Sequence, residues 1–531
     1  MATRRVAGIF ARKSVEQMHA EHAQGELKRS LGATNLVLLG IGCIIGTGIF
    51  VLTGRAAAQF AGPAIMISFI ITGTLCAFVA LSYAELASAI PVSGSAYSYS
   101  YASMGELVAW VMGVLLVLEY GLAASTVAVG WSGYVASFLH DLGIDIPPAL
   151  RGAPGTAIMD FVGGTQVGVG VVNLPALIGI AAVTALLVIG VSESAFVNNV
   201  VVAIKLAVVV AFIVIGAFYV NPALWSPLVP AAQPPPPPGA STSIWGEIGA
   251  ALWAVFTAQD TGRYGVPGII TAAATIFFAY IGFEAVSTAG AESRNPSKDM
   301  PIGILGSLII CTVLYILTSA VLVGIVPYTD LNDAAPIAKA VNQIGLPWFA
   351  VLVKIGAIAG LSSVMLVLLY GQTRIFYAMA RDGLIPPVFA SVHAKYKTPW
   401  INTLIVGVIA CGFAGFMGLD ELANLTNVGT LFAFAIVCVT VVYLRYARPE
   451  VARPFKTPLF PLTPILGAVM CFFLLMSLIA HEGTRNFFLL YLAGGIVLYF
   501  AYGMWNSKLG QGIVVHGHED VSPAPHPKIS D

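Results

Sequence analysis

Charged residues are scarce in this chain, at 9% of its 531 residues, whereas an ordinary soluble domain has about 25%. Hydrophobic residues make up 58%, and the mean hydropathy is +0.88. The formal net charge is zero, which argues against nucleic acid as a partner, because nucleic-acid-binding proteins favour a basic face. Apolar runs near the ~20 residues that a helix needs to cross a bilayer recur along the chain. The composition therefore predicts an all-α polytopic membrane protein.

Patterns for metal binding, disulfides and catalysis are also missing. The six cysteines all lie within apolar runs without metal-ligand spacing, and buried single cysteines usually act as small apolar residues. The histidines nearest to apolar runs, His140, His393 and His481, fall in predicted loops. The sequence therefore predicts that the protein is not an enzyme and binds no metal and no cofactor. A membrane-embedded enzyme or a channel remains a distant alternative.

The apolar runs predict about twelve transmembrane helices. Their predicted bounds are 33–57, 64–89, 106–138, 173–191, 195–219, 267–290, 302–326, 347–373, 401–418, 424–445, 462–480 and 486–505. Most of the 25 Lys and Arg residues then fall in loops on the side of the N terminus. By the positive-inside rule, both termini are cytoplasmic. We predict a multi-pass protein of the cell (inner or plasma) membrane, in contact with membrane lipids.

The first span contains "GIGCIIGTGIF", residues 40–50, which places four glycines in the interior of a predicted membrane helix. Each glycine in a helix interior costs roughly 0.5–1 kcal/mol relative to alanine. Close helix packing through Gly42 and Gly46 is one interpretation. The other is a broken helix, whose free N–H groups and carbonyls form an anion site beside a cation site at the bilayer midplane. That pair of sites matches a zwitterion such as an amino acid.

In the broken-helix interpretation, each end of the zwitterion has its own partners. The N–H groups of Gly46, Thr47 and Gly48 would bind the carboxylate, and carbonyls near Ile44 would bind the ammonium. Irregular backbone at this depth is tolerated only where protein or a water-filled cavity satisfies its polar groups. The first span is therefore a candidate binding site as well as a membrane helix.

The sixth span, "TIFFAYIGFEAVST", residues 275–288, is the candidate for a second break, at Gly282. A lone glycine among aromatic residues more often serves packing, but the paired position favours a break. The predicted substrate-binding residues here are the carbonyls of Phe278, Ala279 and Ile281, the neighbouring Tyr280, and Phe283, which is expected to close over the ligand.

The paired breaks predict two inverted five-helix repeats, with helices 1 and 6 broken at the midplane and two C-terminal helices added. Residues 234–238 are consecutive prolines and predict an extended spacer, whose role, like that of the His-containing tail, the sequence leaves open. The predicted divisions are a basic cytoplasmic N terminus at 1–30, the first repeat at 31–220, an external Pro-rich loop at 221–266, the second repeat at 267–446, the last two helices at 447–506 and a disordered cytoplasmic tail at 507–531.

Several motifs resemble one known family. The segment "LKRSLGATNLVLLGIGCIIGTGIF" resembles the first helix of the amino acid–polyamine–organocation superfamily. The segments "LEYGLAASTVAVGWSGY", "IGFEAVSTAGAESRNPSKDMPIGI" and "YGQTRIFYAMARDGLIP" are similar to its cationic amino acid transporter branch, of the bacterial type. The resemblance covers about residues 27–505. It implies two inverted five-helix repeats, amino acid import, and a substrate backbone held at the broken helices 1 and 6.

Two charges deep in predicted spans are candidates for proton coupling. Lys205 is central in the fifth span, where a lysine costs roughly 2.5–3.5 kcal/mol on insertion scales. A structural ion pair is the alternative. Sodium-coupled relatives of this fold hold a cation between helices 1, 5 and 8, and proton-coupled relatives have a lysine on helix 5. By this resemblance, protonated Lys205 would donate to carbonyls of the unwound first helix.

Glu119, inside the third span, is the other candidate. A buried carboxylate is costly unless it is paired or protonated. It is predicted to carry a proton, or to offset the charge of a cationic substrate or of Lys205. The resemblance places a glutamate here near the substrate pocket. Lys354, near the end of the eighth span, is expected instead to extend to the membrane interface, and Met365 is a candidate for the pocket wall.

The sequence therefore predicts a secondary active transporter. It would carry neutral or cationic L-amino acids, or both, in symport with protons by alternating access. Exchange of amino acids without net proton movement is the alternative. The expected partners are the amino acid substrate, protons and membrane lipids. The sequence leaves open whether a small accessory membrane subunit also binds.

Overall fold

The computed structural model describes residues 9–13, 31–92, 94–161, 165–190, 195–233, 250, 253–254 and 262–511. The polyproline run and most of the predicted C-terminal tail lie outside these residues. Helices dominate the described chain, and its one sheet is a small antiparallel pair, β1 (Ala157–Met159) and β2 (Gln166–Val169), in the long loop after the third predicted span. The protein is therefore all-α in its membrane part.

The α-helices are numbered here in chain order. They are α1 (Ala33–Ile44), α2 (Thr53–Ala56), α3 (Ile65–Ala89), α4 (Ser95–Ser103), α5 (Glu106–Asp141), α6 (Leu174–Ile189), α7 (Ala195–Ala217), α8 (Gly265–Ile276), α9 (Pro296–Ile325), α10 (Pro336–Gln343), α11 (Pro347–Arg381), α12 (Trp400–Phe416), α13 (Leu419–Ala447), α14 (Leu462–Ile479), α15 (Glu482–Leu498) and α16 (Met504–Asn506). The π-helices Gly48–Leu52 and Ala57–Ala61 flank α2, and the 3-10 helices Phe277–Tyr280 and Glu284–Glu292 follow α8. Shorter 3-10 turns connect other elements, and a π-helix at Tyr499–Gly503 follows α15.

Nine helical segments of the described chain are long and apolar enough to cross a membrane. They are Gly48–Ala89, Glu106–Asp141, Val197–Ala217, Gly265–Gly290, Pro296–Ile325, Pro347–Arg381, Leu419–Ala447, Leu462–Ile479 and Glu482–Asn506. Three further apolar helices are shorter: Ala33–Ile44, Leu174–Ile189 and Trp400–Phe416. The chain is thus a multi-pass membrane protein, whereas the count of twelve and the inverted repeat stay predictions.

The long helices pack around one continuous core of buried apolar residues. In it, α5 packs along α11 and α13, while α9 packs on α1 and α3. Glycines allow the closest approaches: a Cβ added at Gly40 would lie 2.3 Å from Ser307 Oγ of α9, and one at Gly42 would lie 2.8 Å from Val202 of α7. These two glycines therefore serve helix packing, as small residues commonly do in membranes.

The N-terminal segment, which is predicted to be cytoplasmic, contacts the helices through Lys13. Lys13 is buried and pairs with Asp382, just after α11, at 2.6 Å, and Tyr97 of α4 donates to the same carboxylate at 2.7 Å. At the opposite end of the helices, Arg55 pairs with Asp420 at 2.6 Å. Ion pairs thus join separate segments of the chain at both ends of the core.

Candidate functional site

The first helix is interrupted where its glycines cluster. Helix α1 ends at Ile44, Ile45 has an extended backbone (φ −72°, ψ 97°), and helical structure resumes after Thr47. The first N–H groups of a helical segment have no partner within it, so those at residues 46–48 are directed into the interruption. Phe50 N–H donates to Gly46 O at 3.2 Å, which closes the first turn of the new segment. The backbone groups that the sequence assigned to the polar site therefore lie at a break in the first helix.

The second interruption lies in the sixth predicted span. After Phe277–Tyr280, Ile281 is extended (ψ 130°) and Gly282 has φ +122°, in the region that favours glycine. A Cβ added at Gly282 would also lie 2.8 Å from the carbonyl carbon of Cys43. Both the backbone conformation and the space therefore require glycine at position 282, which explains the lone glycine among aromatic residues.

The two interruptions are joined by a tyrosine. The hydroxyl of Tyr315, on α9, lies 2.7 Å from Ile44 O and 2.9 Å from Ala279 O, and shares its single proton between these carbonyls. Both carbonyls are ones that the sequence assigned to a substrate ammonium. A carbonyl oxygen has two lone pairs, so each retains one acceptor site. Tyr315 thus fixes the relative position of the two interruptions.

A small cavity lies between them. Its lining consists of Cys43, Ile44, Gly46, Thr47 and Gly48 from the first interruption, Phe278 and Ile281 from the second, Ala123 and Val127 from α5, and Val364 and Leu368 from α11. The wall combines backbone polar groups with apolar side chains, and its described residues include no charged one. The Thr47 hydroxyl is buried without a hydrogen-bond partner in the described chain. The wall therefore offers backbone polar groups beside an apolar surface, but at about 10 Å³ the cavity is nearly closed in this structure, and binding a molecule the size of an amino acid requires its walls to move apart.

Of the predicted substrate-binding residues, six line this cavity: Ile44, Gly46, Thr47, Gly48, Phe278 and Ile281. The other four, Glu119, Ala279, Tyr280 and Phe283, are absent from its described lining. Tyr280 donates to Phe69 O at 2.9 Å and is fully buried. Phe283 is also fully buried, with its ring centroid 5.2 Å from that of Phe434. In this structure these two aromatic side chains pack between helices, and Phe283 does not cover the cavity.

Lys205 lies where the resemblance implied. It is fully buried on α7, and its ammonium donates to Gly42 O and, at 3.2 Å, to Ile45 O, both at the end of α1. A Cβ added at Gly360 of α11 would lie 3.2 Å from Lys205 Cδ, so that glycine gives the lysine stem room. Carbonyl oxygens thus compensate a buried charge that would otherwise be costly. Lys205 connects α7 and α11 to the first interruption.

Glu119 and Lys354 differ in how their charges are satisfied. Glu119 is buried, one helical turn before the cavity residue Ala123, and neither of its carboxylate oxygens has a hydrogen-bond donor in the described chain. Lys354 is also buried; it pairs with Asp141 of α5 at 2.6 Å and donates to Ser137 O at 3.3 Å. Lys354 therefore reaches an acidic partner at the exposed end of α5 while its own side chain stays buried.

Sequence reasoning missed the part of the cavity wall that α5 and α11 supply. Ala123 and Val127, like Val364 and Leu368, are four residues apart and so share a helix face. In helices that are apolar all round, this spacing does not show which face meets a ligand. Met365, the predicted wall residue, is buried beside Val364 but is not in the described lining. No group of His, Cys, Asp and Glu among the described residues is placed to hold a metal ion.

The chain is similar to known transporters over nearly its whole length. The family model described as amino acid permease matches residues 31–501. A methylthioribose transporter of Bacillus subtilis is 43% identical over 95% of this chain and 100% of its own length. A branched-chain amino acid permease of the same organism is 44% identical over 95% of this chain and 99% of its own. A vacuolar cationic amino acid transporter of Arabidopsis thaliana is 37% identical over 83% of this chain and 68% of its own. The chain therefore belongs to the amino acid permease family, within the superfamily that its helix motifs resemble.

Proposed function

We propose that the protein is a proton-coupled symporter of neutral L-amino acids, working by alternating access. Membership of the amino acid permease family supports amino acid transport. The observation that most favours proton coupling is the contact between Lys205 and the carbonyls of Gly42 and Ile45. A protonated ammonium there stabilises the interrupted α1 through charge-assisted hydrogen bonds, and its deprotonation would remove the positive charge and weaken both of them. Lys205 can thus link one proton to the shape of the binding site.

The binding mode follows from the polarity of the interruptions. The N–H groups of Gly46, Thr47 and Gly48, at the start of the new helical segment, suit a carboxylate. Ile44 and Phe278 line the same cavity, and their carbonyls would accept from an ammonium. The substrate side chain then lies against Ala123, Val127, Val364 and Leu368. Because this wall offers no carboxylate, we propose that neutral substrates are preferred to cationic ones.

The relatives differ in the substrates that their names state. A branched-chain amino acid permease matches the apolar wall, while an equally similar relative is named a methylthioribose transporter. A small neutral thioether sugar is therefore the second candidate substrate. Exchange of amino acids without net proton movement is the alternative mechanism, since a Lys205 that never loses its proton would stabilise the site without coupling.

Uptake into proteoliposomes tests these assignments. Labelled alanine, leucine, arginine, lysine and methylthioribose would each be supplied with an inward proton gradient, an inward sodium gradient, or neither. We expect protons alone to drive accumulation of leucine and alanine, with at least ten-fold less arginine and lysine. Brisk exchange without accumulation would instead establish the exchanger, and accumulation of methylthioribose alone would replace the amino acid as substrate.

We further propose that the protein resides in the cell membrane with both termini in the cytoplasm, as the distribution of Lys and Arg predicts. Protease digestion of tags at each terminus in sealed inside-out vesicles tests this orientation. Membrane lipids would contact the outward faces of the long helices, where residues such as Val408 of α12 and Leu490 of α15 are exposed. The described chain offers no feature that identifies an accessory subunit.

A further inference from the structure

The Tyr315 hydroxyl lies where the two interruptions meet. Tyr315 is fully buried on α9, and its hydroxyl is 2.7 Å from Ile44 O and 2.9 Å from Ala279 O. Beside this contact the two backbones touch directly, since a Cβ added at Gly282 would lie 2.8 Å from the carbonyl carbon of Cys43, the residue before Ile44. One side chain from a third helix therefore binds both interruptions where they cross.

Aromatic packing fixes the direction of this hydroxyl. The ring centroid of Tyr315 is 5.5 Å from that of Phe69 on α3 and 5.6 Å from that of Tyr280 in the second interruption. The Tyr280 hydroxyl in turn donates to Phe69 O at 2.9 Å, and both of these residues are fully buried. A ring packed between two others in a close-packed interior cannot swing away. Tyr315 is therefore a fixed donor.

The hydroxyl has fewer protons than acceptors. A tyrosine has one O–H proton, whereas a primary ammonium has three. While Ile44 O and Ala279 O share the Tyr315 proton, neither has a full hydrogen bond from it. Ile44 lines the cavity, and Ala279 directly follows the cavity residue Phe278. An ammonium that donates to Ile44 O would therefore leave the Tyr315 proton to Ala279 O alone.

We propose that Tyr315 is a positioning residue for the substrate ammonium. It holds the Ile44 carbonyl in place at the cavity wall while the site is empty, and its proton passes wholly to Ala279 O once the ammonium donates to Ile44 O. Substrate binding at the first interruption thereby strengthens the hydrogen bond that Tyr315 makes to the second. The inference rests on the proposed function, because it requires a substrate with an ammonium group.

The test uses three ligands with the side chain of leucine. Leucine has both an ammonium and a carboxylate, leucinol lacks the carboxylate, and 4-methylpentanoate lacks the ammonium. Tyr315→Phe removes only the hydroxyl. The matched control is Tyr134→Phe on α5, because Tyr134 is also fully buried and donates to a carbonyl of the first span, Phe50 O, at 2.8 Å. Calorimetry on purified protein measures the Kd of each ligand.

The pattern across the ligands distinguishes positioning from a structural role. In Tyr315→Phe, we expect the Kd of leucine and of leucinol to rise about ten-fold, as for the loss of one good hydrogen bond, and that of 4-methylpentanoate to change less than about two-fold. Tyr134→Phe should change all three Kd values by one common factor. A common factor in Tyr315→Phe, unchanged Kd values, or tighter binding of leucine would each overturn the proposal.

A second measurement keeps the hydroxyl and does not depend on the folding of Tyr315→Phe. With 3-fluorotyrosine at position 315, the fluorine resonance reports on the hydrogen bond of the adjacent hydroxyl. We expect this resonance to shift when leucine or leucinol saturates the protein, and to stay in place with 4-methylpentanoate. A resonance that does not respond to leucine, or that responds equally to 4-methylpentanoate, would contradict the transfer of the proton to Ala279 O.

The wild-type protein separates this inference from the proposed function. Binding of leucine about ten-fold or more tighter than that of 4-methylpentanoate would support recognition of the ammonium. If Tyr315→Phe keeps that preference in full, the role of Tyr315 is refuted and the proposed function stands. If the wild-type protein binds no leucine, or binds 4-methylpentanoate equally well, the proposed binding of an amino acid is refuted, and the role of Tyr315 with it.

Discussion

Gly48 of the first interruption lies against Ala279 of the second: a Cβ added at Gly48 would be 2.2 Å from Ala279 Cα and 2.3 Å from its Cβ. The Cα is a backbone atom and the Cβ is bonded directly to it, so rotation of a side chain cannot relieve the overlap. We predict that Gly48→Ala forces the two interrupted helices apart, at the cost of about 1–3 kcal/mol that overpacking usually carries. Uptake of leucine should fall at least ten-fold, measured as initial rates in proteoliposomes at matched protein levels.

The matched control is Gly412→Ala in α12, where an added Cβ meets no atom within 4 Å. Because alanine favours a helix more than glycine does, that variant should fold and transport as well as the wild type. The contact between the interruptions would not be essential if Gly48→Ala transported at the same rate as Gly412→Ala.

Lys205 and Lys354 are both buried, but we expect only the substitution of Lys205 to abolish proton coupling. Lys205→Met leaves Gly42 O and Ile45 O without their donor, and an unsatisfied buried group costs about 1–3 kcal/mol. We predict that this variant loses proton-driven accumulation at least ten-fold, because no exchangeable proton remains at the first interruption. Lys354→Met, made together with Asp141→Asn to avoid an unpaired charge, should lower the melting temperature but keep proton coupling.

A pH-sensitive dye inside the vesicles measures coupling directly as protons moved per substrate. The coupling role of Lys205 is wrong if Lys205→Met moves as many protons per leucine as the wild type, or if Lys354→Met/Asp141→Asn loses coupling to the same degree.

The interruptions were predictable from the sequence, and the side chains around them largely were not. Gly40 and Gly42 on one hand, and Gly46 and Gly48 on the other, look alike in the sequence but differ in the structure: the first two pack on α9 and α7, while the last two line the cavity. A lysine at the centre of an apolar span is energetically costly, so Lys205 could be identified as a candidate functional residue from the sequence. Tyr315 could not, because a tyrosine in an apolar helix gives no sign of which carbonyls it reaches.

The ion pair between Lys13 and Asp382 is expected to keep the protein closed on the side where the N terminus lies. Both side chains are buried, and Tyr97 also donates to the Asp382 carboxylate. Removing one member of a buried pair typically costs about 3–5 kcal/mol. We predict that Asp382→Asn opens this end, so that a cysteine introduced at Leu368 of the cavity, in a protein in which Cys43 is replaced by alanine, reacts at least five-fold faster with a thiol reagent applied from the side on which the N terminus lies.

The comparison variant for this prediction is Glu450→Gln, which breaks the exposed pair between Arg448 and Glu450 at 3.6 Å. Exposed pairs contribute little, so its labelling rate should match that of the parent protein. Equal rates for Asp382→Asn and Glu450→Gln would mean that the buried pair serves stability alone and does not control access.

Gly46 is expected to set the size of the substrate side chain that the cavity accepts. Unlike Gly48, it has room: a Cβ added there would lie 3.6 Å from Val364 Cγ2, an ordinary contact. Gly46→Ala should therefore fold normally but occupy space within the cavity wall. We predict at least a ten-fold rise in KM for leucine with little change for alanine, and recovery of leucine uptake in Gly46→Ala/Val364→Ala, which restores the volume. Competition between labelled alanine and unlabelled leucine measures the ratio in one assay. If Gly46→Ala weakens both substrates equally, the added methyl group acts on the carboxylate site instead, and the Val364 substitution would not rescue it.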